Sequence, residues 1–116
     1  MKHLKKYEQL STSNNHNYGI YIRDKIGLIR HVDGYSTFNY YDSDDYNMTN
    51  QPDETQYVFF FNKNGDLTKI TNYLRKNGMA FKIFNTNDSN KVSFYIKNET
   101  IKEYIDLLDN TTKYNI

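Results

Sequence analysis

There is no cysteine in this chain, no tryptophan and a single proline, Pro52. The first absence excludes disulfides, a thiol nucleophile and any thiolate metal site, and it points to a reducing compartment such as the cytoplasm of a host cell. No apolar run reaches twenty residues, and the start Met1-Lys2-His3-Leu4-Lys5-Lys6 leads into polar Ser-Thr-Asn sequence. Neither a secretory leader nor a membrane partner is expected from that pattern. The five glycines, at 19, 27, 34, 65 and 78, are scattered, which excludes a glycine-rich phosphate loop. His3, His16 and His31 lack metal-type spacing, and no serine sits in a Gly-x-Ser-x-Gly elbow. The chain is therefore expected to be non-enzymatic and to need no cofactor, with a nuclease-like carboxylate site, such as the pair Asp44 and Asp45, as a third reading behind two binding ones.

Lysine and arginine are also missing from one long stretch. From Asp33 to Glu54 the chain carries six carboxylates (Asp33, Asp42, Asp44, Asp45, Asp53 and Glu54) and no basic residue, a net charge of −6. Six basic residues stand against two acidic ones before it, and nine against six after it. The overall +1 therefore conceals a charge-segregated molecule, a property that concerns partners more than fold. Tyr35, Phe38, Tyr40, Tyr41 and Tyr46 are interleaved with these carboxylates.

What the chain has in quantity is aromatic bulk. Twelve tyrosines and seven phenylalanines, 16% of the 116 residues, supply much of the bulk in a hydrophobic share of only 37%. That is enough for one domain, residues 1–116, with an aromatic-rich core.

Leu4, Tyr7 and Leu10 predict a short helix, ended by Ser11-Thr12-Ser13-Asn14-Asn15, whose side chains compete for backbone hydrogen bonds. Tyr18, Ile20 and Ile22 alternate with Gly19, Tyr21 and Arg23, and a second β-prone run covers Ile26 to Val32. Together they predict an N-terminal β-hairpin that stops at Asp33-Gly34. The acidic segment is too long for a simple connection, and any order in it is expected around Tyr35 to Tyr41.

Tyr57-Val58-Phe59-Phe60-Phe61 is apolar on both faces and predicts a central strand. Asn64-Gly65-Asp66 is a turn delivering an N-cap, and Leu67, Ile70, Tyr73 and Leu74 form one helical face that stops at Gly78. Met79 to Phe84 and Val92 to Lys97 alternate as strands joined by the polar loop Asn85 to Asn90. A second helix starts at Asn98 or Thr100 and buries Ile101, Tyr104, Ile105 and Leu108. A short last strand is expected at Thr112 to Ile116. The expected fold is α+β: an antiparallel sheet with two helices on one face, a ferredoxin-like βαββα core at 56–116, preceded by the hairpin.

The strand Val58-Phe59-Phe60-Phe61-Asn62 and the strand Lys91-Val92-Ser93-Phe94-Tyr95-Ile96 loosely resemble the two central strand motifs of an RNA recognition motif. That resemblance implies RNA or single-stranded DNA bound on a sheet face, with Lys82, Lys91, Tyr95 and Lys97 as the solvent-facing contacts. The glycine and the spaced aromatic pair of the second motif are absent, and core packing is the favoured role for the remaining rings.

Asp42-Ser43-Asp44-Asp45 has an Asp-x-Asp spacing, and Asp53 falls at the twelfth position of a calcium-type loop. Tyr46 and Asn47 stand where an oxygen ligand and a glycine belong, and the bidentate glutamate is missing, so no metal is expected.

The chain also looks like the small phage inhibitors of restriction, repair and CRISPR nucleases, in its size, its charge pattern and its AT-rich codon bias toward Asn, Lys, Ile and Tyr. That general resemblance implies an anti-CRISPR-like or anti-restriction-like protein whose partner is a nucleic-acid-handling host protein. Tyr35, Tyr40, Tyr41, Asp42, Asp44, Asp45, Tyr46, Asp53 and Glu54 would form the contact, occupying phosphate and base positions of the partner's channel. The plain alternative for the segment is a solubilising loop. Capture of a host protein is the first expectation and nucleic-acid binding the second; a homodimer is compatible with both. The feature that separates them is whether Ile20, Ile22, Leu28 and Ile29 cover the second face of the sheet.

Overall fold

Four side chains at every second position, Thr55, Tyr57, Phe59 and Phe61, are each at most 1% exposed. The same alternation buries Val92, Phe94 and Ile96. A period of two is the signature of strands with one face against a core. The computed structural model describes residues 2–41 and 53–114, with side chains described for 14–41 and 53–108. Its elements are α1 (Lys2–Ile26), α2 (Arg30–Asp33), β1 (Tyr35–Tyr41), β2 (Glu54–Asn62), α3 (Thr68–Lys76), β3 (Phe81–Asn85), β4 (Ser89–Lys97) and α4 (Asn98–Tyr114). The strands form one sheet in the order β1-β2-β4-β3, antiparallel at every junction. The architecture is α+β.

All the long helices bury side chains against the same face of that sheet. Tyr18 and Ile22 from α1, Ile70 and Leu74 from α3, and Ile101 from α4 share one core with Tyr57, Phe59, Phe61, Val92, Phe94 and Ile96. Phe81 and Ile105 pack on its margin. The rings stack in series, with centroids 5.3 Å apart for Phe38 and Phe59 and 5.6 Å for Phe59 and Phe94. Such pairs add roughly 0.5–1.5 kcal/mol each beyond the area they bury, which is how a chain poor in Leu and Val closes a core.

The expected N-terminal hairpin is overturned. Residues 18–26 belong to α1, and the buried positions Asn15, Tyr18, Gly19 and Ile22 follow the helical spacing of three and four. The Ser-Thr-Asn run does not break this helix either. Propensity differences among ordinary residues amount to at most about 0.7 kcal/mol each, and tertiary contact overrides them. One such contact is explicit: the Tyr57 hydroxyl donates to the Asn15 carbonyl at 2.7 Å, tying β2 to the middle of α1. The expected last strand is corrected too, because α4 runs on through Tyr114.

The entry into the sheet is fixed by a close crossing. Gly34, at φ 68°, caps α2, and a Cβ there would meet the Cα of Gly65 at 2.8 Å. That approach lets the Asn62 amide donate to the Gly34 carbonyl and the Asp66 amide to the Asp33 carbonyl, each at 2.8 Å. Asp66 in turn accepts from the Thr68 amide at 2.9 Å and starts α3. The hydrogen bonds from Thr68 hold the Asp66 carboxyl below its ordinary value.

Candidate functional site

Side chains that alternate with the core positions point to the second face of the sheet, and the strand register sorts them into rows. Thr37, Phe60, Lys91 and Phe84 form one row across β1, β2, β4 and β3. Asn39, Val58, Ser93 and Lys82 form the next, followed by Tyr41, Gln56 and Tyr95, and then by Glu54 opposite Lys97. Among the described residues, α1, α3 and α4 bury their side chains in the core on the other side of the sheet.

The face is amphipathic in a particular way. Phe84 is 48% exposed, while Phe60, Tyr41 and Tyr95 are half-buried. Lys91, half-buried, holds its Nζ 5.3 Å from the centroid of the Phe60 ring, a cation–π contact. Lys82 and Lys97 are exposed. Val58 and Ser93 are sunk between these taller neighbours. Beside them the Gln56 amide donates to the Ser93 hydroxyl oxygen at 2.7 Å.

The four residues singled out for nucleic acid, Lys82, Lys91, Tyr95 and Lys97, therefore lie together on one face. Phe60, Phe84 and Gln56, which belong with them, were not singled out in the sequence. Their parity was readable, since Phe60 shares the phase of Val58 and Phe84 that of Lys82, but a strand apolar on both faces hides which face is wet.

The acidic-aromatic set is dispersed. Tyr35 is 6% exposed and packs on Phe59 and Phe61, with centroids 6.0 and 5.9 Å away. Tyr40 points to the helix side, against Tyr57 and His16. Tyr41 is on the second face. Asp53, at φ 63°, is exposed, and its carbonyl accepts from the Asn98 amide at 2.9 Å. Glu54 is half-buried opposite Lys97. Asp42, Asp44, Asp45 and Tyr46, with the calcium-type spacing they begin, lie outside the described residues.

Asp33, the first carboxylate of the acidic segment, is only 1% exposed. It accepts from the Ile29 amide at 2.8 Å and from Lys69 Nζ at 3.1 Å. Its charge is spent inside the fold, so at most five of the six carboxylates reach a partner.

Among the described residues no three His, Asp or Glu side chains gather into a metal-binding group, and no helix is long and apolar enough to cross a membrane. His16 stacks on Phe38 and His31 is exposed on α2. No protein-family model, curated protein or solved structure matches the chain. Functional assignment therefore rests on the chemistry of this surface.

Proposed function

We propose that the chain binds single-stranded nucleic acid across the second face of its sheet. The observation that carries this is the helical course of residues 18–26: the segment that had either to extend the sheet or to cover this face packs as a helix on the other one. What remains is a surface of rings (Tyr41, Phe60, Phe84, Tyr95) set among Lys82, Lys91 and Lys97, with Glu54 as its one described carboxylate. Bases stack on rings without regard to sequence, and ammonium groups pair with phosphates. In this reading β2-α3-β3-β4-α4 is a ferredoxin-like core, and β1 flanks β2 in the place a final strand would take.

The test is fluorescence anisotropy with labelled single-stranded DNA and RNA over a salt series. Affinity is expected to fall steeply as salt rises and to weaken separately in Lys82→Ala and Tyr95→Ala. Absence of binding even at low salt overturns the proposal.

A second reading is capture of a nucleic-acid-handling host protein through the acidic segment, by an inhibitor of phage type. It is favoured by the net −6 of residues 33–54, whose described carboxylates are the buried Asp33, the exposed Asp53 and the half-buried Glu54. A pull-down from host lysate with the parent protein, repeated with Asp42, Asp44 and Asp45 all changed to Asn, tests it; equal recovery of a partner by both proteins would count against it.

A further inference from the structure

Small side chains meet large ones at the β3–β4 edge of the second face. Ala80 is next in line after the Phe81–Phe94 pair and so stands beside Tyr95, and Ser93 stands opposite Lys82. Their smallness leaves a depression of about 430 Å³ lined by Gln56, Ala80, Lys82, Phe84, Ser93 and Tyr95 together with Phe81. That volume lies at the small end of ligand sites, which run from roughly 300 to 1,000 Å³. We propose that this depression takes one unpaired nucleobase, adenine by preference, a claim that rests on the nucleic-acid reading above.

Three features of the hollow match a base in a strand. The rings of Tyr95 and Phe84 offer apolar walls for a base plane. Lys82, exposed at the rim, is placed to meet the phosphate that accompanies it. The Gln56 amide is the reading group. Its Nε2 donates to Ser93 Oγ at 2.7 Å, which fixes the amide plane, and the group keeps a second hydrogen to donate and Oε1 to accept. A glutamine amide in that state matches adenine in a bidentate pair, accepting from the N6 amino group and donating to a ring nitrogen. Ser93 is 5% exposed, so it serves to orient Gln56 more than to touch the ligand.

The experiment compares oligo-dA, oligo-dC and oligo-dT binding to the parent, Gln56→Met, Ser93→Ala and Lys82→Ala proteins. Gln56→Met keeps the length of the side chain and removes both polar atoms, and circular dichroism confirms that each variant is folded. The parent is expected to prefer dA by roughly five-fold or more. Gln56→Met should abolish that preference while retaining binding, Ser93→Ala should reduce it, and Lys82→Ala should weaken all three oligonucleotides alike. If the parent binds all three equally, or if Gln56→Met retains the preference, the subsite is overturned and the broader reading stands. If the parent binds neither these oligonucleotides nor their RNA counterparts at low salt, both fall together.

Discussion

Lys69 Nζ lies 3.1 Å from Asp33 Oδ2, joining α3 to the turn that opens β1. The two partners differ in their surroundings. The lysine side chain is 39% exposed and the aspartate side chain 2%. The same ammonium also donates to the Gly27 carbonyl at 3.0 Å, so one side chain secures both the end of α1 and the start of the sheet.

That asymmetry sets the expected mutational pattern. Asp33→Ala strands the Ile29 amide and removes the pair, and should cost about 2 kcal/mol. Lys69→Met leaves a buried carboxylate without its cation and should cost a similar amount. Because each change removes the same contact, the double variant should lose less than the sum of the two. Urea denaturation of the four proteins in a double-mutant cycle checks this, and strict additivity would show that the pair has no energetic coupling.

Gly19 tests the helical assignment of the N-terminal segment. In an exposed helix Gly→Ala gains up to about 1 kcal/mol. Here a Cβ would fall 2.2 Å from the edge of the Phe38 ring, so α1 must retreat from β1 or the ring must leave its stack on Phe59. Gly19→Ala is therefore expected to destabilise by roughly 1–3 kcal/mol, the reverse of the helix-propensity sign. A raised thermal midpoint would mean that α1 does not press on the sheet at this point.

The second half of the fold was legible because its signals agree with one another. Alternation at 57–61, 79–84 and 92–97, the turn Asn64-Gly65-Asp66 ahead of a helical face and a stop at Gly78 point to the same strands and helices that form. A core centred on Phe59, Phe61, Leu74, Phe94 and Ile101 follows from those elements, and Phe94→Ala should cost about 3–5 kcal/mol in a denaturation experiment. The first half was misread because Tyr18, Ile20 and Ile22 satisfy a period of two as well as Asn15, Tyr18, Gly19 and Ile22 satisfy a helical one, and asparagine and glycine carry no hydrophobic signal. The candidate site was legible in its lysines and in Tyr95. It was not legible in its openness, because that depends on where α1 goes.

Alkaline pH should unfold this protein earlier than a typical tyrosine-bearing domain. Burial pushes the Tyr18 hydroxyl up to about 12, with the neighbouring Tyr73, Tyr21 and Tyr104 adding to it. Burial also raises Tyr35, Tyr73 and Tyr104. A phenol with a folded value above its unfolded one holds its proton more tightly in the folded state. Its contribution is whole below the ordinary value of 10 and is lost as pH rises through about 12. Denaturation midpoints should therefore drop across that window, with Tyr18→Phe flattening the drop. A midpoint independent of pH from 9 to 12, followed alongside tyrosinate absorbance, would contradict the burial of these rings.

The two functional readings make opposite predictions for one variant, the replacement of Asp42, Asp44 and Asp45 together by Asn. Tyr41 and Asp53, the described residues that precede and follow positions 42–52, stand at the end of the sheet where Glu54 meets Lys97. If the second face binds nucleic acid, three carboxylates within four residues of Tyr41 in sequence add negative charge that opposes phosphate binding, and their removal should tighten oligonucleotide binding. The gain should vanish at high salt, because exposed charges are screened over a Debye length of roughly 8–10 Å. If instead the segment pairs with the basic channel of a host protein, the same variant should associate with that protein more slowly and hold it more weakly, again with an effect that shrinks as salt rises. Thermal stability is expected to be unchanged in either case, with Asp33, which among the described carboxylates of the segment is the one the fold buries and pairs, left in place. Anisotropy with an oligonucleotide and surface plasmon resonance with the captured protein measure the two arms. A variant indistinguishable from the parent in both would leave these three charges with no role in binding.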